Sequence, residues 1–408
     1  MPATPRLSAG AWRMIVLGAL SAAGPLSHDT YLPGLPDLAK DLGIGTSTAQ
    51  LTLTASLAGL ALGQLVAGPM SDRLGRRRPL IAGATVFAVA ALVCGLTSSV
   101  PLLIGARFVQ GLSGAAGVAV SNAVIRDRHA GERMARELSV LLAISSIAPV
   151  VAPVIGGGIL TFTSWRGIFG FVAATGAVMA LLTAARLEET LPPERRHPGG
   201  LHAVRVAFPR LRRDRRFVGY ALVTGLSFGA MFAYIAGSPF VVQDIYGASS
   251  LEFAAVFAVN GLGIVVVGRA TAQLLGRYSM HRLMVAACCQ AWLGAAIVLV
   301  SWLAHAGIWP LLVGLFLTVS CITALLQNSM TLAMEPYPDI AGSASAIVGV
   351  TRFGIGALCA PLVGVAGDGT ALPMALVMVG LTSCSLLLAL GLQRAHLRTP
   401  INTPIPTT

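Results

Sequence analysis

The sequence predicts an all-α membrane protein: twelve transmembrane helices in two pseudo-symmetric six-helix bundles, with both termini cytoplasmic. Three observations carry that reading. Of 408 residues, 55% are hydrophobic and only 11% are charged, where a soluble protein carries about a quarter charged residues. Apolar runs of about twenty residues recur along the chain, each long enough to cross a hydrocarbon core of about 30 Å as a helix. Arginines gather in alternate connections, which marks those connections as cytoplasmic.

The runs fall at 11–33, 47–69, 79–99, 101–124, 137–161, 165–187, 217–242, 251–275, 282–304, 309–333, 342–366 and 371–393. The first is too long for a signal peptide and lacks a small-residue cleavage site, so it is expected to remain as a span. The connection after the second span holds Arg73, Arg76, Arg77 and Arg78, and the one after the fourth holds Arg126, Arg128, Arg133 and Arg136. The odd-numbered connections hold only Lys40 and Arg166. Residues 188–216, rich in proline, glycine and arginine, form the expected cytoplasmic basic linker between a first bundle, 1–187, and a second, 217–408. A short repeat supports the split: Leu74-Gly75-Arg76 recurs as Leu275-Gly276-Arg277. Two parallel six-helix halves imply a transporter with its binding site between them, near the midplane.

Several function classes are excluded or disfavoured. The net charge of +12 is almost all arginine, Lys40 being the sole lysine. It comes in short topological clusters, so no nucleic-acid partner is expected. The six cysteines all lie in apolar runs and read as small buried hydrophobes, without a metal site or disulfide framework. No phosphate-binding loop, metal-ligand set or nucleophile motif is present, which disfavours ATP-driven transport and membrane catalysis. The chain is not expected to be an enzyme.

Charges at membrane depth are costly and mark functional sites by default. Asp29 is the one acid well inside a span; Arg107, Arg269 and Arg352 are the deep cations. At 1.5 Å per residue, Asp29 and Arg107 both lie about 8–10 Å below the outer face. They could communicate directly or through water, and a buried carboxylate near a cation can be poised to titrate, as a proton carrier must be. Arg352 falls near the midplane of the eleventh span. It could contact an anionic substrate, pair with Asp29 or line a water-filled crevice. Arg269 can snorkel to the cytoplasm.

The stretch "GPMSDRLGRRRP", residues 68–79, is a tight basic inner turn in which Gly68 and Gly75 permit unusual backbone and Asp72 can cap or pair. It resembles motif A of the major facilitator superfamily (MFS). In that family the residues matching Asp72 and Arg73, within the set Gly68, Asp72, Arg73, Gly75 and Arg76, form an inner latch that closes the cytoplasmic side in the outward-facing state. "RFVQGLSGAAG", residues 107–117, resembles motif B, whose arginine matches Arg107 and is linked to proton coupling. In "APVVAPVIGGG", residues 148–158, Pro149, Pro153, Gly156 and Gly157 would bend a helix and let it pack closely. The stretch resembles the antiporter motif C, with Ala152 in place of the usual glycine. "DTYLPGLPDLAKDL", "VIRDRHAGERMAR", "YIAGSPFVVQDIYG" and "NSMTLAMEPYPDIAGSASAIVG" resemble the bicyclomycin and chloramphenicol resistance (Bcr/CflA) branch. Arg352 departs from the uncharged residue usual there.

The resemblance implies the MFS fold and drug:proton antiport in the cytoplasmic (inner) membrane of a bacterium. It implies a monomer with a small-molecule drug, protons and the lipid bilayer as partners. No cofactor is implied, the proton gradient being the energy source. Export of an endogenous metabolite or self-made antibiotic would use the same machine. Family architecture puts spans 1, 4, 7 and 10 around the cavity. Aromatics and methionine suit apolar drugs, and polar amides can bind ligands or join helices. The candidate substrate contacts are therefore Tyr31, Asn122, Phe232, Tyr234, Asn328 and Arg352, with Phe228 and Met231 beside Phe232 on the seventh span.

Overall fold

The computed structural model describes residues 9–129, 131–196, 201–337, 340–364 and 369–398. Among these, all regular structure is helical. The first half contains α1 (Ala9–Asp29), a short α2 (Leu35–Leu42), α3 (Thr46–Leu74), α4 (Arg77–Leu96), α5 (Val100–Arg128), α6 (Gly131–Leu160) and α7 (Trp165–Arg186). The second contains α9 (Arg215–Pro239), extended by a π turn at Phe240–Ile245, then α10 (Ser250–Leu274), α11 (Met280–Leu303), α12 (Ile308–Ser320), α13 (Ile322–Met334), α14 (Ala341–Val363) and α15 (Leu372–Arg398). Between the halves lies α8 (Leu201–Arg213). Ten helical segments are long and apolar enough to cross a membrane, and shorter apolar stretches in α1 and α6, Trp12–Gly24 and Ile147–Leu160, complete the twelve spans.

Three local features differ from the sequence expectation. The first helix stops at Asp29, four residues before the end of the apolar run 11–33. A 3-10 turn at Leu32–Gly34 and then α2 follow, with Thr30 to Pro36 still buried; solvent is reached at Asp37, Lys40 and Asp41. The tenth span is two helices broken at Cys321. Gln290 of α11 causes the break. Its Nε2 donates to the Leu317 carbonyl at 3.2 Å and to Ser320 Oγ at 2.9 Å. That carbonyl is the one Cys321 would engage in an unbroken helix, so the side chain inserts into the ladder. Finally, the segment expected as a linker folds in part as α8. Its Ala207 and Leu211 are buried against Phe217 and Tyr220, while its arginines face out.

Within the first half, helices meet backbone to backbone. A side chain at Gly111 of α5 would overlap the Ser56 carbonyl of α3, and one at Gly156 of α6 would overlap the Thr30 carbonyl just after α1. Small residues are what allow such approach where lipid supplies no hydrophobic drive. The two halves meet along α3 with α14 and along α6 with α10. On the side opposite the arginine clusters they are sealed. Lys40 Nζ lies 2.8 Å from Asp244 Oδ1, Gln50 Nε2 donates to the Ala236 carbonyl at 2.9 Å, and Gln243 Nε2 donates to the Pro33 carbonyl at 3.2 Å. Ser47 Oγ reaches the Pro361 carbonyl at 3.4 Å, and Gly157 packs against Ser250 and Ala254. The outer mouth is closed.

The glycines of residues 156–158 make a sharp prediction. Gly156→Ala should destabilise the protein by about 1–3 kcal/mol, because a rigid carbonyl occupies the space the methyl needs. Gly158→Ala, whose added methyl meets nothing within 4 Å, should not. Thermal unfolding of both variants in detergent checks this, and equal melting temperatures would refute the packing argument.

Candidate functional site

The deep charges fall into three separate environments. Asp29 closes α1 and is 6% exposed. Among the described residues it has no hydrogen bond and no ion pair. The second-half side chain in electrostatic range of it is Tyr234 of α9. Tyr234 is itself fully buried, its hydroxyl accepting from Asn260 Nδ2 at 2.8 Å and its ring stacked on Phe257 with centroids 5.4 Å apart. The carboxyl thus lies near the seam between the halves, in electrostatic reach of a tyrosine that α10 holds in place.

Arg107 is completely buried in α5, and it does not pair with Asp29. Its Nη1 donates to Gln110 Oε1 at 2.6 Å, to Ser27 Oγ at 3.0 Å and to the Ser27 carbonyl at 3.4 Å. The guanidinium carbon sits 4.9 Å from the Tyr31 ring centroid and 5.6 Å from that of Phe169. Its partners are therefore neutral: two rings, an amide and the last turn of α1. The contact to Ser27, two residues before Asp29, ties the cation to the carboxyl through the backbone. Tyr31, expected at a substrate, is fully buried under Arg107 and bonds Thr52 Oγ1 at 3.0 Å.

The remaining candidates spread through the interior. Phe232 is buried and its ring lies 5.2 Å from that of Phe228. Arg352 of α14 lies over Phe228 and Phe353, apart from Asp29. Asn328 of α13 is buried with its Nδ2 unpartnered, whereas Asn122 Nδ2 turns back on its own helix and bonds the Val118 carbonyl at 2.9 Å. Arg269 is exposed, as snorkelling requires.

At the inner face, motif A centres on Arg76 and not on Arg73, which is exposed. Gly75 turns the chain with φ +88°, a conformation that favours glycine. Arg76 then reaches Asp127 Oδ2 at 2.7 Å through Nε, and through Nη1 it reaches Asp72 Oδ1 at 2.5 Å and Ser71 Oγ at 2.7 Å. Glu189 accepts from the Arg76 backbone N–H at 2.7 Å and from that of Arg77 at 3.3 Å. Burial works against the charge of Arg76, but the bonds to Asp127 and Asp72 win and raise its pKa. Burial likewise opposes the charge of Glu189, yet the N–H groups of Leu191, Arg76, Arg77 and Thr190 hold its carboxyl below the ordinary range. A depressed carboxyl contributes stability that is present at neutral pH and lost as pH falls through its folded value. These partners lie in the first bundle and at the start of the linker, so among the described residues the contacts of Asp72 do not cross to the second bundle. A side chain at Gly68 would meet nothing within 4 Å here. In motif C, Pro149 and Pro153 lie inside α6, and Gly156 and Gly157 make the contacts described above.

Sequence reasoning missed several of these groups. Gln110 stands three residues after Arg107, on the same helix face and in the same motif, so its spacing was a usable signal. His28 adjoins Asp29: its Nδ1 is 2.7 Å from the Gly24 carbonyl and its Nε2 is enclosed without a partner. Asp127, Glu189 and Asn260 are recognised only through contacts distant in sequence.

Comparison with known proteins agrees with this architecture. The family model described as Major Facilitator Superfamily matches residues 17–361. An MFS-type transporter of Bacillus subtilis, YdgK, is 40% identical over 369 residues, covering 89% of this chain and 90% of the relative. The bicyclomycin resistance protein homolog of Haemophilus influenzae is 32% identical, covering 90% of this chain and 92% of its own length. The multidrug resistance protein MdtL of Salmonella heidelberg is 31% identical, covering 91% and 92% respectively. Among solved structures, a peptide transporter of the POT family superposes with a TM-score of 0.78 at 13% identity, covering 94% of each chain. The nucleoside transporter NupG does so with a TM-score of 0.76 at 14% identity, covering 94% of this chain and 98% of its own. At such identities the structural likeness speaks to the fold.

The inner cluster separates two neighbouring arginines. Arg76→Ala leaves two carboxylates facing each other and should cost on the order of 3 kcal/mol. The exposed Arg73→Ala should cost within about 0.5 kcal/mol. Thermal unfolding at neutral pH decides it; a larger loss for Arg73 would overturn Arg76 as the hub.

Proposed function

The chain belongs to the major facilitator superfamily, in its bicyclomycin and chloramphenicol resistance branch, and we propose that it is a proton-coupled exporter of small drugs. On this reading it works as a monomer in the inner membrane of a bacterium, by alternating access, with the proton gradient as its energy source. Its family and named relatives are transporters, and it is a multi-pass membrane protein.

The observation that carries the proposal is Asp29: a carboxyl at the end of α1, enclosed near where the halves meet, with no cation against it among the described residues. Taking or releasing a proton there changes the local charge by a full unit that no neighbour cancels. That change falls on the seam through which the halves must rock. Arg107 grips the same turn of α1 through Ser27, so a shift at Asp29 reaches α5 directly. A drug entering from the inner side, while the outer mouth is closed, would be exchanged for a proton bound from outside in the alternate state. The named relatives support drugs as the cargo.

Asp29→Asn removes the titration while nearly keeping the shape. It should abolish efflux driven by a pH gradient, with insertion and thermal stability retained. The measurement is drug accumulation in efflux-deficient cells, alongside uptake into proteoliposomes with and without an imposed gradient. Normal gradient-driven export by Asp29→Asn would show that Asp29 is not the coupling group.

A further inference from the structure

Arg352 is the deep cation that the coupling scheme leaves unused. Its guanidinium carbon lies 4.4 Å from the Phe228 ring centroid and 4.6 Å from that of Phe353, two rings that meet edge to face with centroids 5.2 Å apart. Among the described residues no hydrogen bond or ion pair reaches it. Its Nε is enclosed without a partner, whereas its Nη groups are not enclosed, and the residue as a whole is only partly buried. Arg107 also keeps Nε, and Nη2, enclosed without a partner, but it is fully buried and its Nη1 is bonded to Ser27 and Gln110. Arg352 also lies on a helix that meets the first half, α14 packing along α3. One turn before it, Gly349 faces Gln64 of the first half, and one turn after it, Gly356 packs on Phe228 and Phe232.

We propose that Arg352 with Phe228, Phe232 and Phe353 forms an anion-selective subsite, which takes the carboxylate of a substrate whose body is aromatic. The chemistry follows from the contacts. The outer N–H groups of a guanidinium form a planar fork that matches a carboxylate in two parallel hydrogen bonds. Rings already stacked on the cation present the further apolar faces an aromatic body needs, Phe228 and Phe232 having centroids 5.2 Å apart. A bound carboxylate would also neutralise a charge that is held at membrane depth with rings alone for company. The subsite gives the exporter a preference for acids over their neutral counterparts, and it rests on the transporter reading only for what the bound molecule does next.

The test uses the full chain purified in detergent, with 2-naphthoate and its neutral isostere 2-naphthamide as probes, read by calorimetric titration. The wild-type protein should bind the acid about tenfold or more tightly than the amide, the scale of one charge-assisted bidentate pair. Arg352→Gln should bring that ratio close to one. Arg352→Lys, which keeps the charge but not the fork or the stacking, should leave an intermediate ratio. Thermal unfolding confirms that each variant is folded; if Arg352→Gln is not, the wild-type ratio together with Arg352→Lys decides. Equal binding of the two probes by the wild type overturns the subsite, as does a preference that survives Arg352→Gln or is unchanged in Arg352→Lys. Binding is measured without a proton gradient. A missing preference therefore sinks the subsite and leaves the export reading standing, while failure of gradient-driven efflux sinks the latter without touching this result.

Discussion

A charge at membrane depth has no water to solvate it, so the protein must supply what water would. This chain answers that constraint in three different ways, and the differences sort its charged residues by role. Arg76, at the inner surface, is answered by two carboxylates and a hydroxyl in good geometry. Arg107, fully enclosed, is answered by an amide, a serine and two aromatic faces. Among the described residues, Asp29 has no ion partner and no ring against it, and Arg352 has rings but no hydrogen bond. Two ring contacts on a desolvated cation contribute about 2 kcal/mol each, whereas taking an ion out of water costs several kcal/mol. Rings alone therefore leave Arg352 incompletely compensated, and for Asp29 even that compensation is missing. Arg76 is held by charged partners, while Arg107 is bonded through Nη1 and keeps Nε and Nη2 buried without a partner. On the proposals above, Asp29 would answer to a proton and Arg352 to an anion.

The outer seal shows how such responses could be transmitted. The ion pair of Lys40 with Asp244 has a largely exposed lysine, and an exposed pair of this kind contributes roughly 0–1 kcal/mol. The work of closure falls instead on close backbone approach at Gly157 and on neutral donors, Gln50 and Gln243, reaching main-chain carbonyls across the seam. Each such bond has a modest net strength, about 1 kcal/mol, so the seal is the sum of several weak contacts. A seal built that way can be undone by a change of about one charge at its centre.

Much of this was legible in the sequence, for reasons that can be named. The twelve spans are visible because lipid demands continuous apolar runs, and the orientation because arginine marks one side. Asp29, Arg107 and Arg352 stood out because charge at depth is rare. What escaped was long-range pairing. Nothing near Cys321 announces a break, since the disrupting Gln290 lies on another helix. Nothing in "SDRLGRRRP" says which arginine turns inward; Gly75 and the distant Asp127 and Glu189 decide for Arg76. The expected link between Asp29 and Arg107 rested on equal depth, and depth does not fix direction around a helix. The segment after α7 read as a linker because its charge masks the spacing of Ala207 and Leu211, which only the adjoining helices give a reason to bury.

That Arg107 holds Ser27 and not Asp29 has a mechanical consequence. Had the two charges paired, the carboxyl would be locked to α5 within the first half, and its titration would be felt mainly there. As it stands, the cation fixes the backbone of the last turn of α1 while leaving the carboxyl free to face α9 of the other half. Tyr234 across the seam is in turn immobilised by Asn260 and Phe257 of α10. A proton on Asp29 thus acts between two rigid supports, one in each bundle. On the proposed coupling, a change of charge at Asp29 would act on the relative position of the bundles.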